Sequence, residues 1–240
     1  MNLILLRDED FFSASRVCLR GRRRQHVQEV QRAAVGDILR VGRIGGLIGT
    51  GAVVALNDEH LELEVILDQS PPSPSPITLL LALPRPKMLK RVLQTVSALG
   101  VKQLFLLNSY RVEKSFWGSP LLQPEALREQ LLLGLEQAVD TLLPRVHLRP
   151  RFKPFVEDEL PFLCRGTAGF VAHPPAALTC PSPPLGPITL AIGPEGGFIP
   201  YEVEKLQQAG MAAISLGPRT LRVETAVPVL LTRLSAAGEH

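Results

Sequence analysis

The sequence predicts an α/β protein: a mostly parallel sheet interleaved with helices, preceded by a small antiparallel β-barrel. Three observations carry that expectation. After residue 76, helix-period apolar stripes alternate with short continuous apolar runs, the pattern of buried parallel strands joined by crossover helices. Before residue 70 the apolar runs are short, are separated by Gly-rich or Asn-Asp turns, and in LELEV alternate with period two. Between them, Ser70–Pro76 (SPPSPSP) places four prolines in six positions, which continue neither a ladder nor a helix and favour an extended linker. The predicted organisation is a barrel over 1–70, a linker over 71–76 and an α/β domain over 77–240.

Taken in order, VGDILRVG, GTGAVVAL and LELEVILD are the barrel strands. Gly45, Gly46, Gly49 and Gly51 serve there as turn or bulge residues, since no helix pattern follows them to make a phosphate loop. Beyond the linker, Leu89, Val92, Leu93, Val96 and Leu99 fall at helical spacing, Gly100 sits where a helix stop belongs, and the strand-like VKQLFLL follows at once. PEALREQLLLGLEQAV is a second helix with Pro124 at its first position. TAGFVA, ITLAIG and AAISLG are further buried strands, YEVEKLQQAG is a helix between the last two, and ETAVPVLLTRLSAA is a closing helix. Pro228 fits that last helix only within its first turn, where a missing N–H is harmless. No internal repeat is present.

Composition narrows the function classes. With 240 residues, 45% hydrophobic and 20% charged, the chain has ample core material, and the net charge of +3 identifies no partner by itself. Arg outnumbers Lys by 20 to 6, which reflects either bidentate phosphate recognition or an Arg-rich genome. Cys18, Cys164 and Cys180 form no CxxC or Cys/His ligand spacing, so neither a disulfide framework nor a metal site is expected, and a reducing cytoplasm is the simplest setting. The opening MNLILLRDED has only a four-residue apolar run before Arg7, unlike a signal peptide, and no run of about 18 apolar residues is present to span a bilayer.

Three strand-end segments stand out as candidate chemistry: AHPP, AIGPEGGF and SLGPRTLRVETA. Each puts Gly or Pro directly after a buried strand, at the carboxyl edge where open α/β sheets bind ligands. Gly193, Gly196 and Gly197 permit close backbone approach, and Glu195 offers an acceptor. Lys-Ser/Thr and GxGxxG are both absent, so a loop presenting backbone groups to a flat heterocycle fits better than one for nucleotide phosphates. Taken singly, each loop reads first as an ordinary strand-Gly-Pro turn, and His173 as a structural histidine. Three such ends on adjacent parallel strands would meet at one edge.

These residues, His173-Pro174, IGPEGGF and LGPRTLRVETA, resemble the RsmE family, the uracil-N3 methyltransferases of small-subunit ribosomal RNA in the SPOUT superfamily. The resemblance runs over nearly the whole chain. It implies a PUA-like N-terminal barrel, a trefoil-knotted SPOUT methyltransferase domain, a homodimer, S-adenosylmethionine as cofactor, and small-subunit rRNA or the 30S particle as partner. The implied cofactor cradle is Ala172, His173 and Pro174, then Gly193, Pro194, Glu195, Gly196 and Gly197, then Leu216, Gly217, Leu221 and Arg222.

Uracil N3 carries a weakly acidic imide proton, so its methylation needs a proton acceptor or a cation on the imidate oxygens. Arg222 and Glu224 are the candidate pair, Arg222 stabilising or orienting the base and Glu224 acting as base or positioning Arg222; the alternative for Glu224 is a helix-dipole partner. From Phe11 to Arg43 there are eight Arg against Glu29 and Asp37, a local +6. Arg22, Arg23, Arg24, His26 and Arg32 are the candidate RNA contacts there, the last two matched by the family; a solvated basic loop is the alternative. Three positions depart from the family pattern: Thr95 and Ala98 stand where Lys and Glu are usual, and Asp140 where an Arg is. They put the target nucleotide in question. A related RNA methylase, or a knotted assembly factor that no longer reacts, are the competing readings. The Pro-rich stretch over 174–187 is long for a strand connection.

Overall fold

The computed structural model describes residues 2–174, 176, 178–181 and 186–235. The chain forms two compact units, one built from the residues up to Ser73 together with Leu132–Leu143, the other from Pro74–Leu131 and the chain from Pro144 onward.

The first unit is a curled, mixed five-stranded sheet. Its strands are β1 (Ile4–Leu6), β2 (Arg16–Leu19), β3 (Ile38–Arg43), β4 (Ile48–Leu56) and β5 (Leu61–Gln69), in the order β1-β3-β4-β5-β2. All pairings are antiparallel except β1 with β3. The period-two pattern of β5 turns Leu61, Leu63 and Val65 inward to meet Ile4, Leu6, Val17, Leu19 and Val41. Gly49 is required by the close approach of β4 and β5, since a Cβ there would lie 1.8 Å from the Ile66 carbonyl oxygen. The basic RGRRRQH run is helical: α1 (Gly21–His26) continues into a wider turn over Val27–Gln31 and ends at Arg32 with φ +53°.

The second unit holds a six-stranded, wholly parallel sheet: β6 (Ile77–Ala82), β7 (Gln103–Leu107), β8 (Arg145–Arg149), β9 (Ala168–Ala172), β10 (Ile188–Ile192) and β11 (Met211–Ile214), in the order β11-β9-β10-β6-β7-β8. The expected alternation holds, and the sheet includes β6 and β8, which the sequence pattern did not single out. Every residue of β10 is buried, as a parallel strand covered on both faces demands.

Helix α2 (Pro86–Ala98) buries Leu89, Val92, Leu93 and Val96. Gly100, at φ +76°, stops it in a Schellman turn: Val101 N–H donates to Val96 O (3.2 Å) and Gly100 N–H to Ser97 O (3.2 Å). Leu99, expected on the buried stripe, lies past the last helical turn and is exposed. Next come α3 (Pro124–Ala138), the short turns α4 (Phe152–Pro154) and α5 (Leu160–Leu163), α6 (Pro200–Gln208) and α7 (Val223–Leu234). Pro228 is the sixth residue of α7, beyond the first turn where the sequence would have placed it. The helix carries it because Val227, Leu230, Leu231 and Leu234 are buried on its inner face and hold the backbone in place. Among the described residues no helix is long and apolar enough to cross a membrane.

Candidate active site

The strands that carry the three Gly/Pro-punctuated loops are consecutive in the sheet, β11-β9-β10. All run the same way, so their carboxyl ends share one edge. Backbone bonds stitch the chain beyond β9 to that beyond β11: His173 N–H donates to Ile214 O (2.8 Å), Ser215 N–H to Leu178 O (2.9 Å) and Cys180 N–H to Ser215 O (2.8 Å).

At this edge lies a cavity of about 320 Å³, near the lower end of the ~300–1,000 Å³ usual for small-molecule sites. Ala172, His173 and Pro174 line it from β9, Gly193, Pro194, Glu195, Gly196 and Gly197 from β10, and Leu216, Gly217 and Leu221 from β11 and beyond. The walls are completed by Ile192, Phe198, Ile214, Ser215, Thr220, Val223, Ala226 and Leu230, and the cations facing it are Arg111 and Arg219. Arg222 and Glu224 are not among the lining residues. Arg222 is exposed at the N-cap of α7, and the half-buried Glu224 follows in its first turn.

The GPEGG loop is held from several directions. Gly197 N–H donates to Pro194 O (2.7 Å), closing a turn, and Gly197 itself takes φ +73°. A Cβ on Gly193 would stand 2.9 Å from Phe198 N, so backbone is packed where any side chain would go. Glu195 accepts from the N–H of Arg85 at the N-cap of α2 (3.1 Å). Arg111 donates to the Gly196 carbonyl. The Arg111 loop is fixed in turn by the buried Glu202, whose carboxylate accepts from Tyr110 N–H (2.7 Å) and from Ile199 N–H at the start of α6 (3.0 Å). Sequence reasoning missed Arg111 and Glu202. A Glu near the start of the YEVEKLQQAG helix is readable as a helix-start residue, which matches the Glu202 bond to Ile199 N–H, but its hold on Tyr110 N–H and the Arg111 bond to Gly196 O join segments distant in sequence and carry no motif. Burial lowers the His173 imidazole below its ordinary value near 6.5, so at neutral pH it is an uncharged wall of the cavity.

The basic run of the first unit divides by environment. Arg23 is largely buried and makes two bonds to the Asp10 carboxylate (2.5 and 2.7 Å) and one to Leu5 O (2.9 Å). Arg22 pairs with the buried Glu136 (2.8 Å) while its side chain stays 56% exposed. Arg24 bonds Gln28 (2.5 Å) and Asn57 O (2.9 Å). His26 has its Nε2 buried without a partner among the described residues, and burial, foremost, lowers its pKa. Arg32 is exposed. Of the family departures, Asp140 is buried and accepts from Leu142 N–H (2.8 Å) in the turn after α3, while Thr95 and Ala98 are half-buried on α2. Of the Pro-rich 174–187 stretch, residues 175, 177 and 182–185 lie outside the described residues, and Leu178 and Cys180 make the backbone bonds to Ser215.

The RNA methyltransferase domain family matches residues 71–235. The chain is similar to the ribosomal RNA small subunit methyltransferase E of Treponema pallidum, 28% identical over 236 residues that cover 94% of this chain and 87% of that protein. It is also similar to the methyltransferase E of Synechocystis, 28% identical over 234 residues covering 89% and 71%. Among solved structures, ribosomal RNA small subunit methyltransferase E from Neisseria gonorrhoeae, bound to S-adenosyl methionine, shares the fold with a TM-score of 0.78 at 21% identity, covering 97% of this chain and 95% of that one.

Proposed function

This chain belongs to the RNA methyltransferase domain family, and from that premise we propose that it methylates N3 of a uracil in small-subunit ribosomal RNA with S-adenosylmethionine as donor. The observation that carries this reading is the cavity where β9, β10 and β11 end together, largely apolar and rimmed by exposed backbone. Its residues fit that cofactor: a flat adenine needs apolar walls such as Ile192 and Leu216, and the missing Cβ at Gly193 lets the GPEGG loop fold tightly back on its own backbone at the cavity wall. When bound, the cofactor supplies an electrophilic sulfonium methyl group.

The chain's own residues divide the remaining work. Arg222 stands between the lining residues Leu221 and Val223, is exposed, and has no ion-pair partner among the described residues. In this reading its guanidinium stabilises the imidate oxygens of a bound uracil. Glu224, two residues on, accepts the N3 proton or orients Arg222. The first unit reads as a PUA-like barrel that holds the RNA backbone with Arg22, Arg24, His26 and Arg32, while Arg23 serves it by bracing α1 against Asp10. The second unit reads as a trefoil-knotted SPOUT domain, a reading supported by the bonds joining the chain beyond β9 to that beyond β11. The working form is a cytoplasmic homodimer.

Unmodified small subunits incubated with the protein and the cofactor, followed by nucleoside mass spectrometry, test the reading. N3-methyluridine is the expected product, and Arg222→Ala reduces its formation at least a hundredfold. No methylated nucleoside, with cofactor binding intact by calorimetry, would identify a binder that no longer reacts.

A further inference from the structure

The exposed face of α2 is the strongest unclaimed charge on the second unit. Arg85, Lys87, Lys90 and Arg91 put four cations into seven residues, and α2 contains no Asp or Glu. All four are exposed. None makes an ion pair or a side-chain hydrogen bond among the described residues. This contrasts with the first unit, where Arg22 and Arg23 are each held by a buried carboxylate. A solvated helix normally mixes signs, since pairs three or four residues apart support it and like charges oppose it. Lys87, Lys90 and Arg91 are spaced at i, i+3 and i+4 and repel one another, so the helix forgoes local stability to keep one sign on this face.

The face is also tied to the cavity. Its N-cap residue, Arg85, donates its backbone N–H to Glu195, a lining residue. Strand β6, which leads into α2, is the sheet neighbour of β10, which leads into the GPEGG loop. The lining cation Arg111 bonds that same loop. From Lys87 to Arg91 the helix rises about 6 Å, the scale of one or two nucleotide steps along a single strand, and a face of ammonium and guanidinium groups recognises phosphates rather than bases.

We infer that the Lys87–Lys90–Arg91 face of α2 is a phosphate track that guides the RNA strand flanking the target base to the cavity mouth. The inference rests on the RNA methyltransferase reading and assigns that reaction its substrate-guiding surface on this unit. Because the contacts are to backbone phosphate, the track contributes affinity and salt dependence without selecting the base.

The test uses the full chain with Lys87, Lys90 and Arg91 replaced together by Gln, and a second variant carrying Lys87→Arg and Lys90→Arg. Binding of a small-subunit rRNA fragment is measured across a salt series, alongside methyl-transfer kinetics, cofactor calorimetry and thermal melting. Removal of three phosphate contacts is expected to weaken binding at least tenfold at low salt and to lower the salt slope by about 2–3. KM for RNA rises, while kcat, cofactor affinity and melting temperature stay as in the wild type, and the Arg variant retains wild-type binding. An unchanged salt slope and KM in the Gln variant, with the wild type methylating RNA normally, overturns the track and leaves the function standing. A wild-type chain that neither binds nor methylates small-subunit RNA overturns both.

Discussion

At the residue scale, the arginine run shows how environment separates side chains that are alike in sequence. Asp10 is 7% exposed and its carboxylate takes both bonds of the Arg23 fork. Arg23→Ala leaves the buried Asp10 charge without its cation, though Arg7 N–H still donates to it (2.6 Å), and the expected loss is about 3 kcal/mol in urea unfolding, whereas Arg24→Ala, which removes contacts to the neutral Gln28 side chain and Asn57 carbonyl, costs below about 1 kcal/mol. Equal losses would contradict the division. The histidines give a second prediction. Burial is the first cause that holds His26, His147 and His173 below the ordinary value near 6.5. The unfolded chain therefore binds protons first as pH falls, so their contribution to stability is full above about 6.5 and is lost as pH drops through the lowered folded values. Unfolding midpoints between pH 7.5 and 5.5 should decrease, and His26→Gln should flatten part of that slope. In sequence, a basic run announces charge and nothing more; that Arg23 is a brace depends on Asp10, a carboxylate in a separate turn of the first unit, while Arg32 has no partner among the described residues.

At the element scale, legibility followed periodicity. Helix α2 was plain because four buried apolar residues fall at helical spacing and a glycine ends it. Helix α1 was not, since Val27, just past its end, is the one buried residue over 21–31 and no apolar stripe marks its course. β1 hid in three residues, and β6 in a continuous apolar run beside the prolines, where period two is absent because both faces are covered. The turn after α3 carried no glycine signal: Val139 takes the left-handed φ of +59° that glycine usually supplies. Helix α7 shows packing overriding local preference. Pro228 has no N–H for the Glu224 carbonyl, one turn back, and its neighbours hold the helix regardless. Pro228→Ala restores that donor and should raise stability by about 1–3 kcal/mol, read as a higher melting temperature with cofactor binding retained. A lower melting temperature would mean that the packing around α7 depends on the proline ring.

At the scale of the whole molecule, the candidate site is made of neighbours in the sheet, while the first unit is assembled from distant parts of the chain. The three motif loops, Arg219 included, were legible because each follows its own strand, and the sheet order β11-β9-β10 then joins them; the cation Arg111 came from a loop with no motif of its own. The Pro-rich stretch punctuates the chain without marking the whole of the first unit. Leu132 and Leu135 pack against Leu3, Leu5 and Ile48. Asn2 and Leu3 both donate their N–H groups to Glu136 O (3.0 Å each). Thr141 donates to Gly46 O (2.5 Å) and accepts from Gly45 N–H (2.8 Å). A fragment ending at Pro76 loses all of these at once, leaves Arg22 without Glu136, and bares three core aliphatics. At about 1.5–3 kcal/mol for each buried aliphatic side chain, the loss is comparable to the ~5–15 kcal/mol net stability of a typical domain. Residues 1–76 expressed alone should therefore show poor NMR dispersion and no cooperative urea transition, and joining residues 130–145 to them through a Gly/Ser linker should restore both. A cooperative transition in 1–76 alone would show instead that the β1–β5 sheet supplies enough burial by itself, and that Leu132–Leu143 adds to a unit already formed.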